Sequence, residues 1–131
     1  MGTRAEVEAQ SMEFSKAVAN QDAAEVARLY AEDCRFLPPN LPLIEGKAGV
    51  EAFGEGMIAQ GVRSLDLEVV DVLEGGDLVV AQGRYTLGLQ PPGGDPIQDV
   101  GKYVEVRRRQ ADGSLKIVLD IFNSDLPAPP A

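Results

Sequence analysis

The chain has 131 residues, of which 44% are hydrophobic and 25% are charged, a size and composition typical of one globular domain. Its formal net charge of −9 repels phosphate backbones, so nucleic-acid binding is not expected. The single cysteine excludes an intramolecular disulfide, and the absence of histidine excludes serine–histidine and cysteine–histidine catalytic arrangements and the usual zinc sites.

The sequence also limits location and cofactors. No apolar run approaches the roughly 18 residues of a membrane helix, and the charged N-terminal stretch does not resemble a signal peptide. We therefore expect a cytoplasmic protein without a membrane partner. No calcium-loop or phosphate-loop pattern occurs, so we expect neither a metal nor another cofactor. Cys34 is expected to be a buried small hydrophobe, and the basic run Arg107–Arg109 to be a solvated strand end.

The first part of the chain has a helical period. Thr3 and Glu6 have the spacing of a capping box, and the apolar residues after them share one face, which predicts a helix over residues 4–20. Asp22 begins a second helix as its N-cap. An apolar stripe extends this helix to about residue 32.

A short strand and a third helix follow. Residues 34–37 predict a strand that the next prolines terminate, because proline cannot donate to a ladder. Apolar residues at helical spacing then predict a helix over residues 47–60.

The second half changes to a period of two, which predicts four strands. Alternation begins at residue 65 and changes phase at Val70, which indicates a bulge. Turn sequences separate the later strands, predicted over residues 78–89, 97–108 and 115–123.

Helices come first and the sheet second, which is typical of an α+β fold. We expect one domain over residues 1–131, with residues 126–131 as a proline-rich tail. A long, bent antiparallel sheet with helices on one face leaves a cavity between the two layers.

The element order and several motifs resemble the nuclear-transport-factor-2-like superfamily, which includes ketosteroid isomerases and SnoaL-like cyclases. The motifs are the helix break Ala19–Asp22, the segment Val26–Asp33, the segment Ile44–Val50 and the closing strand Asp112–Asp125. The resemblance implies a cone-shaped roll in which three N-terminal helices pack on a curved, mostly antiparallel sheet around a pocket. The closing strand is similar to that of a small bacterial branch of SnoaL-like proteins.

The resemblance does not extend to ketosteroid isomerase chemistry. Those enzymes use an aspartate base and an oxyanion hole of a tyrosine and a protonated aspartic acid. The matching positions here are Phe14, Pro38 and Gly101 or Lys102, and none carries the required group. We therefore expect another function for the pocket.

Nine residues are candidates for the lining of that pocket, although large side chains at these spacings also serve as plain core. They are Phe14, Tyr30, Phe36, Phe53, Met57, Tyr85, Tyr103, Asp120 and Phe122. Asp120 is the candidate acid, base or ligand anchor, because its neighbours are apolar and an unpaired carboxyl there has a raised pKa. The alternatives are a pair with Lys102 or Arg84, or exposure on the open sheet face.

Lys102 and Tyr103 point to opposite faces of their strand, so one of them enters the cavity. Tyr103 is the better candidate, because an unpaired ammonium group is costly to bury. The opposite face carries Val100, Val104 and Val106, and an apolar outer face suggests a homodimer interface.

Three functions remain open. The first is a homodimeric protein that binds a small apolar or amphipathic molecule without fixed chemistry. The second is an enzyme of the cyclase, isomerase or dehydratase kind, with Asp120 as acid or base and Tyr103 or Tyr85 as hydrogen-bond donor. The third is an association domain whose pocket is only core. The missing ketosteroid isomerase residues favour the first or the third.

Overall fold

The computed structural model of the protein describes residues 2–127. Within this range three helices precede most of a six-stranded sheet. The helices are α1 (Thr3–Ala19), α2 (Ala23–Ala27) and α3 (Lys47–Gln60). The strands are β1 (Tyr30–Leu37), β2 (Ile44–Glu45), β3 (Val62–Gly75), β4 (Leu78–Leu89), β5 (Ile97–Arg109) and β6 (Leu115–Ser124).

The sheet has the order β2-β1-β6-β5-β4-β3. Its neighbours are antiparallel except for β1 and β6, which run parallel. The helices pack against the sheet through α1 on β3 and α3 on β1, and the apolar core fills the space between them. This confirms the α+β fold with a curved, mostly antiparallel sheet.

Several local predictions are confirmed. The helix over residues 47–60 and the strand over residues 78–89 have the predicted bounds. The carboxylate of Asp22 accepts a hydrogen bond from the backbone amide of Glu25 at 3.1 Å, as an N-cap does. The register of β3 against β4 shifts between Val69 and Asp71, which is the predicted bulge at Val70.

The second helix is shorter than the sequence pattern predicts. It ends at Ala27, and Tyr30 already belongs to β1. Tyr30 is buried and pairs with Ile117 of β6, whose backbone amide donates to Leu29. Pairing with the distant strand therefore outweighs the local helical pattern, and β1 is longer than the predicted residues 34–37.

The predicted capping box is wrong. The N-cap of α1 is Gly2, and no side chain caps the helix. Glu6 instead accepts from the guanidinium of Arg109 at 2.7 and 3.0 Å, because β5 brings that cation to the first turn of the helix. This contact lowers the pKa of Glu6.

The basic run is not a solvated strand end as a whole. Only Arg108 of the three is largely in water, near Asp77, while Arg107 is fully buried and Arg109 is paired with Glu6. Strand alternation explains the difference, since alternate residues of β5 face the helices. Cys34 is buried as expected, and burial raises the pKa of its thiol.

The sheet also contains a very short strand. The two-residue strand β2, which the sequence analysis did not predict, pairs with β1 through Arg35 and Phe36. No helix in the described part of the chain is both long and apolar enough to cross a bilayer. Most of the predicted proline-rich tail, residues 128–131, lies outside the described residues.

Candidate functional site

A cavity of about 130 Å³ lies between the helices and the concave face of the sheet. Its wall is almost entirely apolar, with the few polar groups on β1, β4, β5 and β6. All nine side chains singled out from the sequence line it: Phe14, Tyr30, Phe36, Phe53, Met57, Tyr85, Tyr103, Asp120 and Phe122. Their contact with a ligand stays a prediction.

Aromatic rings build one side of the cavity. The ring centroid of Phe36 lies 6.1 Å from Tyr30, 4.9 Å from Phe53 and 5.8 Å from Phe122. Most of these contacts are edge-on, the arrangement that the charge distribution of aromatic rings favours. The rings therefore have little freedom to collapse into the cavity.

Two tyrosines lie over glycines of the neighbouring strand. Tyr103 pairs with Gly83, and Tyr85 pairs with Gly101. A Cβ atom added at either glycine would lie 2.5 Å from the tyrosine that covers it. Glycine is thus required at both positions for the rings to lie flat on the sheet and line the cavity.

Tyr30 and Asp120 form a buried hydrogen-bonded pair on the cavity wall. The hydroxyl of Tyr30 donates to Oδ2 of Asp120 at 2.6 Å, and the two residues are 2% and 5% exposed. Burial raises the pKa of Asp120 well above its usual range, and the negative charge of Glu105 raises it further. Burial and the charge of Glu105 therefore favour the neutral form of Asp120, whereas the Tyr30 hydrogen bond favours the carboxylate.

The alternative partners for Asp120 are wrong. Lys102 points to the other face and pairs with Asp125 at 2.8 Å, and Arg84 lies 3.6 Å from Glu68 in water. Tyr103, not Lys102, enters the cavity, as predicted. Asp120 thus has a hydroxyl partner and no counter-ion of its own.

A second carboxyl, on Glu105, lies directly opposite Asp120 in the β5–β6 ladder. Residues so placed have their Cβ atoms about 4.5–5.5 Å apart on the same face. Glu105 also lines the cavity and is 2% exposed. A register shift beyond Val106 leaves Val118 unpaired, so that both Ile117 and Asp120 face inward.

Arg107 completes the polar wall. Its Nη1 lies 2.9 Å from Oε1 of Glu105, an ion pair without the alignment of a hydrogen bond. Its Nε donates to Oε1 of Gln10 at 2.8 Å, and the amide of Gln10 donates in turn to the Leu115 carbonyl at 2.9 Å. Helix α1 thereby fixes the guanidinium behind Glu105.

Two hydroxyls beside this wall lack hydrogen-bond partners within residues 2–127: those of Tyr103 and Ser11. Ser11 approaches Tyr103 without hydrogen-bond geometry, and burial raises the pKa of the phenol. By contrast, the hydroxyl of Tyr85 donates to Asp99 at 3.0 Å.

Sequence reasoning missed Glu105 and Arg107. The signal was present, because both share the strand face of Tyr103 by simple alternation. The arginine run suggested solvent instead. As for metals, no cluster of three or more suitable ligands occurs in the described part of the chain.

Comparison with known proteins places the fold. The model of the SnoaL-like domain matches residues 12–118. The chain belongs to this family. SnoaL-like domains are part of the nuclear-transport-factor-2-like superfamily, which confirms the resemblance seen in the sequence. A search of curated proteins finds no match.

Solved structures of other proteins have the same fold. A ketosteroid isomerase-like protein from Erwinia carotovora atroseptica SCRI1043 has a TM-score of 0.82 at 17% identity, covering 94% of this chain and 96% of that one. ActVI-ORFA from Streptomyces coelicolor has a TM-score of 0.80 at 21% identity, covering 95% and 98%. A nuclear transport factor 2-like superfamily protein from Salmonella enterica serovar Typhimurium LT2 has 0.78 at 12%, covering 98% and 96%. Such identities show the fold alone.

Proposed function

We propose that the protein binds one small, largely apolar molecule that carries an oxygen atom, and that it transfers protons to and from that molecule. The observation that carries the proposal is a buried carboxyl group, Asp120, held by the Tyr30 hydroxyl on the wall of an apolar cavity, where burial raises its pKa. An isomerase or cyclase reaction that proceeds through an enol fits this arrangement.

Asp120 and Glu105 divide the proton transfers. Two carboxyl groups whose environments favour different protonation states supply one acid and one base. Asp120 donates its proton to a carbonyl oxygen of the substrate. Glu105, which lies 2.9 Å from the guanidinium of Arg107, takes a proton from the adjacent carbon. The substrate becomes an enol, Asp120 becomes a carboxylate, and Glu105 gains the proton that the carbon loses. In an isomerisation, Glu105 then gives this proton to another carbon that is conjugated with the enol, and the enol proton returns to Asp120.

The apolar wall supports both binding and catalysis. An engineered protein cavity of about 150 Å³ binds benzene, so a cavity of about 130 Å³ has room for a small ring. Exclusion of water also strengthens each electrostatic contact with the substrate oxygen. Room of this size favours ligand binding over a pocket that is only core.

Exchange of carbon-bound protons tests the proposal directly. Cyclohexanone is a neutral ring of suitable size, and ¹H NMR in D₂O follows the loss of its α-protons. We expect the wild-type protein to accelerate this exchange and Asp120→Asn to lose at least 100-fold of the acceleration, within the range of about 10²–10⁴ typical of acid–base catalysis.

The matched control is Asp125→Asn, which removes a carboxylate from an exposed pair with Lys102. It should retain wild-type exchange. Equal rates in the wild type and in Asp120→Asn would exclude Asp120 as the acid. Saturable broadening of the cyclohexanone signals without exchange would show that the protein binds the ketone, and it would exclude the proposed proton transfer.

We further propose that the outer sheet face joins two copies of the chain. Val100, Val104, Leu119 and Ile121 are 37–42% exposed there, and Val104 pairs directly with Ile121. A contiguous apolar patch of this kind is typical of a protein interface, and a two-fold axis is the commonest way to cover it. The second copy would bury both patches together.

Sedimentation velocity tests this arrangement. We expect a dimer for the wild type and a monomer for Val104→Glu. Met12→Glu is the control, because Met12 is an exposed apolar residue of α1, on the helix side of the sheet and away from the patch. A monomeric wild type, or a Val104→Glu variant that remains dimeric, would exclude this interface.

A further inference from the structure

A buried arginine breaks the symmetry of the Glu105–Asp120 pair. The two carboxyl groups lie opposite each other in the β5–β6 register, on the same buried face. Of the two carboxyls, only that of Glu105 forms an ion pair with Arg107, at 2.9 Å, whereas Asp120 has the Tyr30 hydroxyl at 2.6 Å. One carboxyl therefore has a full positive charge beside it, and the other has a neutral hydrogen-bond donor.

Charge balance selects one protonation state of this group. Two adjacent buried carboxylates do not both ionise, because each disfavours the charge of the other. With Glu105 ionised, Arg107 charged and Asp120 protonated, the buried group has no net charge. Ionising Asp120 as well would leave an uncompensated negative charge, and protonating Glu105 as well would leave an uncompensated positive one.

Arg107 is held where it cannot serve both carboxyls equally. Gln10 of α1 accepts from its Nε at 2.8 Å and is itself held by the Leu115 carbonyl. The other titratable groups near Asp120 are Tyr30 and Cys34 from β1 and Tyr103 from β5. Helices α1 and α3 contribute no charged residue to the cavity wall among the residues described.

We infer that Arg107 is a positioning residue, which assigns the single proton of the Glu105–Asp120 pair to Asp120. The inference rests on the function proposed above, because that function needs a protonated Asp120 and an ionised Glu105. It adds that the division of roles between acid and base is set by a side chain behind the pair, which does not line the cavity.

NMR titration of ¹³C-carboxyl-labelled aspartate and glutamate tests the inference without a substrate. In the wild type at pH 7 we expect a protonated Asp120 signal and an ionised Glu105 signal. In Arg107→Met we expect the proton to move to Glu105 or to be shared, so that both signals shift. Arg107→Lys keeps the charge and should restore the wild-type assignment.

Glu105→Gln provides a second variant in case Arg107→Met does not fold. It removes the neighbouring negative charge and leaves the arginine free to favour an ionised Asp120. We expect the titration midpoint of Asp120 to fall by about 1–3 pH units. The inference is overturned if the midpoint stays at its wild-type value, or if Arg107→Met keeps the proton on Asp120 beside an ionised Glu105.

These outcomes are separate from those of the exchange experiment. The expected titrations without cyclohexanone exchange would overturn the proposed catalysis and leave the role of Arg107 intact. Exchange that depends on Asp120, together with unchanged titrations in the Arg107 and Glu105 variants, would overturn the role of Arg107 and leave the proposed catalysis intact.

Discussion

Strands β4 and β5 are neighbours in one sheet, yet they distribute their residues in opposite ways. β4 turns small or apolar residues such as Val79 and Ala81 toward the helices and keeps Arg84 in water. β5 turns Glu105 and Arg107 toward the helices and leaves valines on the outer face. A sheet with one covered face normally follows the first pattern. The pattern of β5 therefore indicates that core packing alone does not explain its residues.

The pairing between these strands shows how the sheet accommodates the buried charges of β5. Ala81 lies opposite Glu105, and Val79 lies opposite Arg107. Each buried charge therefore has a small or medium neighbour that leaves it room. The two charges neutralise each other, so the polar row of β5 depends on both being present.

The largest expected effect comes from removing one charge of this row. Glu105→Ala or Arg107→Ala leaves an unpaired buried charge, and we expect a loss of about 3–5 kcal/mol in the free energy of unfolding. The double variant Glu105→Gln with Arg107→Met should lose less than the sum of the single losses. Urea denaturation measures all of these values.

Arg108→Ala is the control on the same strand, because Arg108 lies in water near Asp77, and it should change stability little. Similar losses for Arg107→Ala and Arg108→Ala would remove the distinction between the two faces of β5.

The next effect is a dependence of stability on pH. The pKa of Asp120 is higher in the folded protein than in the unfolded chain, so the folded state retains a proton that the unfolded state loses. Its contribution to the free energy of unfolding therefore falls as pH rises from about 4 toward the raised pKa, by about 1.4 kcal/mol per pH unit. Glu6 acts in the opposite sense at lower pH, because its pKa is lowered by Arg109.

Asp120→Asn removes the titrating group and should flatten this dependence between pH 5 and pH 7. Thermal unfolding across that range measures it, with Asp125→Asn as an exposed comparison. A variant whose stability still falls as steeply as that of the wild type would assign the dependence to another group.

A smaller effect concerns the glycine of β4 that Tyr103 covers. A Cβ atom in Gly83→Ala would collide with the Tyr103 ring and with the Glu68 carbonyl oxygen, and we expect a loss of about 1–3 kcal/mol. Gly75→Ala adds the same atom where no neighbour lies within 4 Å. Equal changes in the melting temperature for the two substitutions would show that contact with the Tyr103 ring is not the cause of the loss.

The smallest effect separates the two tyrosines that lie over glycines, Tyr85 and Tyr103. Tyr85→Phe removes a hydrogen bond to Asp99 and should lose about 0.5–1.5 kcal/mol. Tyr103→Phe removes a hydroxyl without a partner in the described part of the chain, so it should be neutral or stabilising. Chemical denaturation of the two variants would show a reversed order if Tyr103, rather than Tyr85, has the structural hydrogen bond.

Periodicity was sufficient to predict much of the fold and of the cavity lining. The predicted bounds of α3 and β4 agree with the structure because uninterrupted apolar spacing defines both elements. The lining residues were predictable for the same reason, since large side chains on the covered face point into the space between the helices and the sheet. Asp120 was found because one carboxyl among apolar neighbours is conspicuous in a strand.

Strand alternation was sufficient to place Glu105 and Arg107 on the face of Tyr103, a signal that the arginine run obscured. The partners of Arg107 and of the start of β1 were not predicted, because they lie far away in the sequence. Gln10 of α1 holds Arg107, and Ile117 of β6 draws Tyr30 out of the helical pattern. Local spacing cannot reveal a pairing between strands so distant in the chain.

The hydrogen bond between Tyr30 and Asp120 joins residues 90 positions apart, through the parallel pairing of β1 with β6. Synthesis proceeds from the N-terminus, so β1 emerges from the ribosome long before β6 exists. Contacts between such distant segments also form slowly. The acid of the cavity is therefore among the last features to be assembled, and a nascent chain that stops before β6 contains Tyr30 and Glu105 without the carboxyl that completes the site.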